Sequence, residues 1–231
     1  ESESRGLGDV YKRQIKKYTI TASGGNFYNY SYQDLKKITP DQAITHPKWD
    51  MGSKITVDSS TLMNKGLEII EACILFNINV NQIDALIHPE SIVHGLVEFN
   101  DTSTHAFLSQ PTMEISISSV LFDDNSVDLN KLHLDLKTIK TLNFYEIDDQ
   151  KFNSINLAKK SINYGGLAPS VLNYINELMV DLFLQKKILF TDIVINNEKL
   201  LNQFITEGNN KIDLNIDNIK QSFAIVDGYL D

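Results

Sequence analysis

Several kinds of residue pattern are scarce in this chain, and each scarcity excludes a class of protein. A single cysteine, Cys73, rules out a disulfide framework and any CxxC zinc pattern, and makes a reducing compartment the default. Basic clusters are missing: the lysines are scattered and mostly offset by nearby acids, the net charge is -9, and no stripe suited to nucleic acid exists. No apolar run approaches the roughly 20 residues that cross a bilayer. The opening "ESESRGLGDVYKRQ" lacks the apolar core of a signal peptide. With only 5 prolines, 42% hydrophobic and 22% charged residues, disorder is excluded over most of the chain. A length of 231 residues suffices for one large core or two modest ones. The expectation is a soluble, internal protein whose negative charge still leaves room for a phosphorylated metabolite, because a few local donors and one lysine decide such binding.

The first 14 residues have no periodicity and join abruptly to "KKYTITASGG", so residues 1–14 read as a non-native junction, with a native N-terminal portion expected to be missing. Tyr18, Ile20 and Ala22 alternate against Thr19 and Thr21 as in a strand, which runs into the turn Ser23-Gly24-Gly25. Thr39, Pro40 and Gln42 mark a helix start, and Pro47 stops that helix before the loop "PKWDMG". "SKITVDSS" alternates Ile55 and Val57 and reads as a second strand, feeding the helix 61–76 through Asp58, Ser59 and Ser60; strand, turn, helix implies a parallel or mixed sheet. "QIDALIHPESIVHGLVEF" and "STHAFLSQP" add extended segments, while "MEISISSVLF" fits helix or strand. Residues 123–150 read as a linker with a short strand or turn in "LNFYEI". Beyond it come four short helices: one ending at Gly165-Gly166, one behind Pro169, one capped by Thr191, and a last in "DNIKQSFAIVDGYL". The fold class expected is therefore α/β (α+β), a catalytic domain with a mixed sheet over 15–122, followed by a C-terminal helical bundle over 151–231.

Asn64, Glu68 and Glu71 fall at i, i+4 and i+7 of an otherwise apolar helix, with Lys65 beside them. That stripe reads either as a solvated edge carrying an ordinary Lys65–Glu68 pair or as a site. Position favours the site: free N–H groups, hydroxyls, an amide and an ammonium at a helix start make an anion cradle. Glu68 lies one turn deeper, about 6 Å along the axis from Asn64. Beside a phosphate it needs a cation, and oxygen ligands suit Mg²⁺ or Mn²⁺ better than zinc. One carboxylate is too few for such a site. Ser23 reads as a turn residue or a ligand contact, His46 as a helix-end histidine or a donor to phosphate, and Trp49 as a core anchor or the apolar face of a lid.

"ASGGNF", "ITPDQAITHPKWDMGSKITVDSSTLMNKGLEIIEACILF" and "LIHPESIVHGLVEF" together resemble the 1-deoxy-D-xylulose 5-phosphate reductoisomerase family, as do "LNFYEIDDQKF", "LNYINEL" and "FTDI" further on. The resemblance implies an oxidoreductase of non-mevalonate isoprene biosynthesis that converts 1-deoxy-D-xylulose 5-phosphate to 2-C-methyl-D-erythritol 4-phosphate with NADPH and Mg²⁺, Mn²⁺ or Co²⁺. In it a retro-aldol and aldol rearrangement precedes hydride transfer. The resemblance also implies a homodimer, in a bacterial cytoplasm or the stroma of a plastid or apicoplast. Carried over by motif position, Ser23, Ser59, Asn64 and Lys65 bind phosphate and His46 touches substrate. Glu68 ligates the metal, Trp49 covers the substrate, and Gly52 with Met51 contacts the nicotinamide cofactor; Glu68, Lys65 and His46 form the catalytic set.

Departures accompany the matches. The family's Gly-rich NADPH domain and its Asp-Ser-Glu segment, with two further metal carboxylates, have no counterpart here, and "GLGD" lacks the strand-helix context of such a loop. Ser109, Thr112, Glu114 and Ser116 replace the family's usual residues in a segment that bears on dimer-side packing. The expectation is a piece of the enzyme that is inactive alone. Two other readings compete with it: a metal-dependent phosphosugar isomerase or aldolase that never used NADPH, and a non-catalytic module.

Overall fold

A computed structural model describes residues 14–45, 52–121, 132–209 and 212–230. They group into two compact units: Glu1–Ser23 with Asn81–Glu146, and Gly24–Val80 with Ile147–Asp231. The packing thus crosses the linear partition expected at residue 150, since the segment from Gly24 to Val80 shares its unit with the C-terminal helices.

The first unit is built on a mixed sheet of order β2-β1-β3-β4, with β1 Ile15–Ala22, β2 Ile83–Ile87, β3 Val93–Phe99 and β4 Thr104–Leu108. β1 runs parallel to β2, with Tyr18 opposite Ile83 and Ala22 opposite Ile87. β3 runs antiparallel to both β1 and β4. In β2 the residues Ile83, Ala85 and Ile87 are buried while Asp84 and Leu86 are half-buried, the period-2 pattern of a strand with one covered face. On its outer side β2 exchanges two 2.9 Å backbone hydrogen bonds between Ile87 and Tyr145, so the described part of the expected linker is tied to the sheet edge. His88 reinforces this tie: it is fully buried, its Nδ1 lies 2.8 Å from the Asn143 carbonyl, and its ring stacks on Phe144. Glu90 accepts from the Asn143 amide groups, which together with other hydrogen bonds hold its carboxyl below the usual range against the opposing effect of burial. "MEISISSVLF", open between two forms on its pattern, is helical over Met113–Leu121, α5.

The second unit is helical. It contains α1 Tyr32–Leu35, α2 Pro40–Ala43, α3 Ser53–Ser60, α4 Met63–Leu75, α6 Ser154–Tyr164, α7 Ala168–Leu184, α8 Phe190–Thr206 and α9 Ile216–Asp227, α5 being Met113–Leu121 of the first unit. Its core is Phe152, Leu157, Leu172, Ile175, Met179, Phe183, Leu201 and Phe204, none more than 2% exposed. The expected α2 start is present: Thr39 N–H donates to Gln42 Oε1 at 2.9 Å, ahead of Pro40. The glycine stop after α6 also holds, with Gly165 and Gly166 at φ 69° and 56°. Thr191 is not the cap of α8; it lies inside the helix, and Asp192 takes the capping role by accepting the Leu189 N–H at 3.0 Å. Gly66 lets α4 approach α6, because a Cβ there would meet Ser154 O at 3.0 Å and the Ala158 Cβ at 3.2 Å.

The structure corrects one central expectation. Ser53–Ser60 is a helix and not a strand, so α4 is entered from α3 through a bend and not from a sheet. Ile55 and Val57 alternate as in a strand, yet Thr56 Oγ1 donates back to the Gly52 carbonyl at 3.0 Å and Lys54 meets Asp58 at i+4, 2.7 Å apart. These contacts exist only at helical spacing. The last turn of α4 also departs from a fully buried helix: Ile74, Leu75 and Phe76 are 63, 71 and 73% exposed.

Candidate functional site

The site grows from the bend between α3 and α4. Leu62 breaks the two helices by adopting φ 61°, ψ 12°, a left-handed backbone that a buried leucine side chain, 1% exposed, holds by packing. Thr61 Oγ1 donates to the Asp58 carbonyl at 3.3 Å, and Ser154 Oγ of α6 donates to the Thr61 carbonyl at 2.8 Å. Gly25, at φ +60°, closes on the same bend: a Cβ there would lie 2.8 Å from the Ser60 Cα. From Thr56 to Met63 every side chain is buried except that of Ser59. Ser59 is therefore the one opening in this wall.

The next open positions are Asn64, Lys65 and Glu68 on the first turns of α4, all half-buried. They touch one another. Lys65 Nζ lies 2.8 and 2.6 Å from the two Glu68 carboxylate oxygens, and Asn64 Nδ2 donates to Glu68 Oε1 at 2.9 Å. An ammonium, an amide and a carboxylate thus share one edge, with the side chains of Lys65 and Glu68 21 and 37% exposed. The donors are those an oxyanion needs, and the carboxylate is the one anionic oxygen ligand of the group.

Of the other residues singled out in the sequence, Ser23 directly follows β1 and belongs to the first unit. Gly52 precedes α3 at its N-cap position, and among the described residues nothing lies within 4 Å of where its Cβ would be. His46, Trp49 and Met51 lie outside the described residues, as does all but Gln14 of the segment 1–14. Glu68 fits one position of a magnesium site, since Mg²⁺ takes one or two carboxylates and fills its remaining positions with water and substrate oxygens. Among the described residues no three His, Cys, Asp or Glu side chains form a metal-holding group.

Sequence reasoning missed Asn176. This α7 residue is fully buried, and its Nδ2 donates to Asp58 Oδ1 at 2.7 Å while its Oδ1 accepts from Asn197 Nδ2 of α8 at 2.9 Å. No local signal marks it, because its partners are 118 and 21 residues away. A cleft of about 280 Å³ in the same unit reaches the bend at Thr61 and is lined also by Tyr32, Phe152, Thr191 and Glu198 among others.

A family model described as the 1-deoxy-D-xylulose 5-phosphate reductoisomerase C-terminal domain matches residues 1–76, and one described as the DXP reductoisomerase C-terminal domain matches residues 108–224. The 1-deoxy-D-xylulose 5-phosphate reductoisomerase of Sulfurihydrogenibium sp. is 43% identical over 96% of this chain and 57% of its own length. That of Persephonella marina is 45% identical over 83% of this chain and 52% of its own. The chain spans about half the length of the curated relatives it matches. A crystal structure of DOX-P reductoisomerase in complex with NADPH, fosmidomycin and magnesium superimposes with a TM-score of 0.87 at 36% identity, covering 96% of this chain and 55% of that one. The enzyme from Zymomonas mobilis in complex with NADPH gives 0.77 at 33% identity, with the same two coverages.

Proposed function

This chain belongs to the 1-deoxy-D-xylulose 5-phosphate reductoisomerase family, and we propose from that premise that it supplies the substrate- and metal-binding part of an enzyme converting 1-deoxy-D-xylulose 5-phosphate to 2-C-methyl-D-erythritol 4-phosphate. The observation that carries this reading is the edge on which Asn64, Lys65 and Glu68 touch one another, beside a wall whose one open side chain is Ser59. The Ser59 hydroxyl, the Asn64 amide and the Lys65 ammonium donate to the phosphate of the sugar, with Ser23 as a further donor. His46 contacts the substrate and Trp49 covers it. Binding energy gathered at the phosphate, away from the reacting carbons, orients the ketone, and the indole over it keeps water out.

Glu68 would hold the divalent cation, and Gly52 with Met51 would contact NADPH; solved relatives that bind NADPH and magnesium support this pair. When bound, the cation polarises the ketone and the nicotinamide delivers hydride. Glu68 accepts from both Lys65 and Asn64. Phosphate draws the two donors away and leaves the carboxylate oxygens available, so the two ligands favour each other's binding. The homodimer and a bacterial cytoplasmic setting belong to the same proposal. Its relatives are bacterial, and among the described residues no helix is long and apolar enough to cross a membrane.

Titrating inorganic phosphate into the chain by ³¹P NMR tests the cradle: Lys65→Ala and Asn64→Ala should each weaken binding about tenfold, and binding that survives both substitutions unchanged would sink the reading. Activity is tested by joining the chain to the N-terminal part of the Sulfurihydrogenibium relative that it does not span, and following NADPH oxidation with the sugar phosphate and Mg²⁺.

A further inference from the structure

Four polar side chains form a hydrogen-bonded line that runs from the surface into the core of the second unit. Lys54 Nζ lies 2.7 Å from Asp58 Oδ2, and the two side chains are 40 and 3% exposed. Asp58 Oδ1 accepts from Asn176 Nδ2 at 2.7 Å, and Asn176 Oδ1 accepts from Asn197 Nδ2 at 2.9 Å. Direction is fixed at each step. A carboxylate only accepts, so Asn176 must turn its NH₂ toward Asp58, and the donor from Asn197 holds the amide in that orientation.

Stability alone gives weak support for such a line. Asn197 Oδ1 is buried and has no partner among the described residues, which costs desolvation energy without return. Apolar residues of similar volume often serve a core as well as a buried charged network does. The line passes, however, through the residue before Ser59, in the last turn of α3, where that one open hydroxyl has buried neighbours on either side. Asp58 and Ser59 share that turn, so the hydrogen bond from α7 that holds the Asp58 carboxylate also restrains the backbone that carries Ser59.

We propose that Asn176, oriented by Asn197, is a positioning residue for the phosphate cradle: by fixing Asp58 it sets the rotation of the last turn of α3 and so the direction in which Ser59 presents its hydroxyl. The proposal rests on the reading of Ser59, Asn64 and Lys65 as phosphate ligands. Lys54 serves the same end by balancing the Asp58 charge from the solvent side, so that the carboxylate beside Ser59 does not repel the incoming anion.

The experiment compares the unsubstituted chain with Asn176→Leu, Asn197→Ala and the exchange Asp58→Asn/Asn176→Asp. Two quantities are read: affinity for inorganic phosphate by ³¹P NMR, and amide hydrogen exchange at residues 59–62 without ligand. Asn176→Leu should bind phosphate about tenfold more weakly and exchange faster at 59–62, with α9 unaffected. The exchange variant rebuilds the hydrogen bond with donor and acceptor reversed, and should recover affinity to within about twofold. A folded Asn176→Leu protein with unchanged affinity and unchanged protection at 59–62 overturns the positioning role. Should Asn176→Leu fail to fold, Asn197→Ala, which removes only the orienting donor, carries the test: about threefold weaker binding is expected, and none overturns the role. Absence of phosphate binding by the unsubstituted chain overturns the cradle itself, a failure separable from the first because the exchange rates need no ligand.

Discussion

Two lysine–carboxylate pairs sit on consecutive helices of the second unit and have opposite characters. Lys54–Asp58 on α3 has a carboxylate that is 3% exposed and receives a second hydrogen bond from another helix. Lys65–Glu68 on α4 has a carboxylate that is 37% exposed, and the contacts shown for it come from its own helix. The same two chemical groups give a fixed part of the core in one case and an exchangeable contact in the other. What decides is who supplies the additional donor: a distant helix that must move to release it, or a neighbour one turn away that need only change rotamer.

The largest blow to this contrast is Asp58→Ala. It leaves Asn176 with an unpaired buried donor and should cost about 3 kcal/mol, read as a lower midpoint in urea unfolding; a loss below about 0.5 kcal/mol would make this pair no different from the exposed one. Gly25→Ala comes next. The added methyl must displace the Ser60 backbone and the residue must keep φ +60°, so about 2 kcal/mol and weaker phosphate binding are expected by thermal melts and titration. Glu68→Gln should change stability by no more than about 0.5 kcal/mol while tightening metal-free phosphate binding about twofold, as Lys65 is released. In the chain joined to the relative's N-terminal part, Mg²⁺ should raise the melting temperature and the same substitution should remove that rise. The smallest effect concerns a third carboxylate, Asp227, which accepts from the Tyr174 hydroxyl at 2.7 Å and, ahead of burial, pushes that phenol from 10.0 up to about 12. The folded state holds the proton more tightly than the unfolded one, so this stabilisation is complete below pH 10.0 and is lost as pH rises toward about 12. Tyr174→Phe should flatten the alkaline loss of stability across that interval, checked by melts at stepped pH.

Local patterns made the exposed pair legible and hid the buried one. Asn64 and Glu68 lie four residues apart on a helix that the sequence showed well, and the structure brings them into contact. The Thr39–Pro40–Gln42 start and the Gly165–Gly166 stop were readable for the same reason, since each depends on neighbours in the chain. Ser53–Ser60 misled because Ile55 and Val57 follow a period of 2, and the helix is settled by Thr56 bonding to Gly52 and by Asp58 meeting Asn176 on α7. Thr191 looks like a cap until Asp192 is seen to take the Leu189 amide. Asn176 and Asn197 carry no mark in the sequence, because nothing local records that they face inward.

Gly66 turns the bare thickness of a helix backbone into a gauge. It lies on the side of α4 toward α6, one residue past Lys65, and its missing methyl sets how far the helix sinks toward Ser154 and Ala158. A chain with alanine there would gain helix propensity of roughly 0.5–1 kcal/mol and still ride a few tenths of an ångström higher, lifting Asn64, Lys65 and Glu68 away from a Ser59 anchored on another helix. The aperture of the proposed phosphate cradle is thus calibrated from behind, by an atom that is not there.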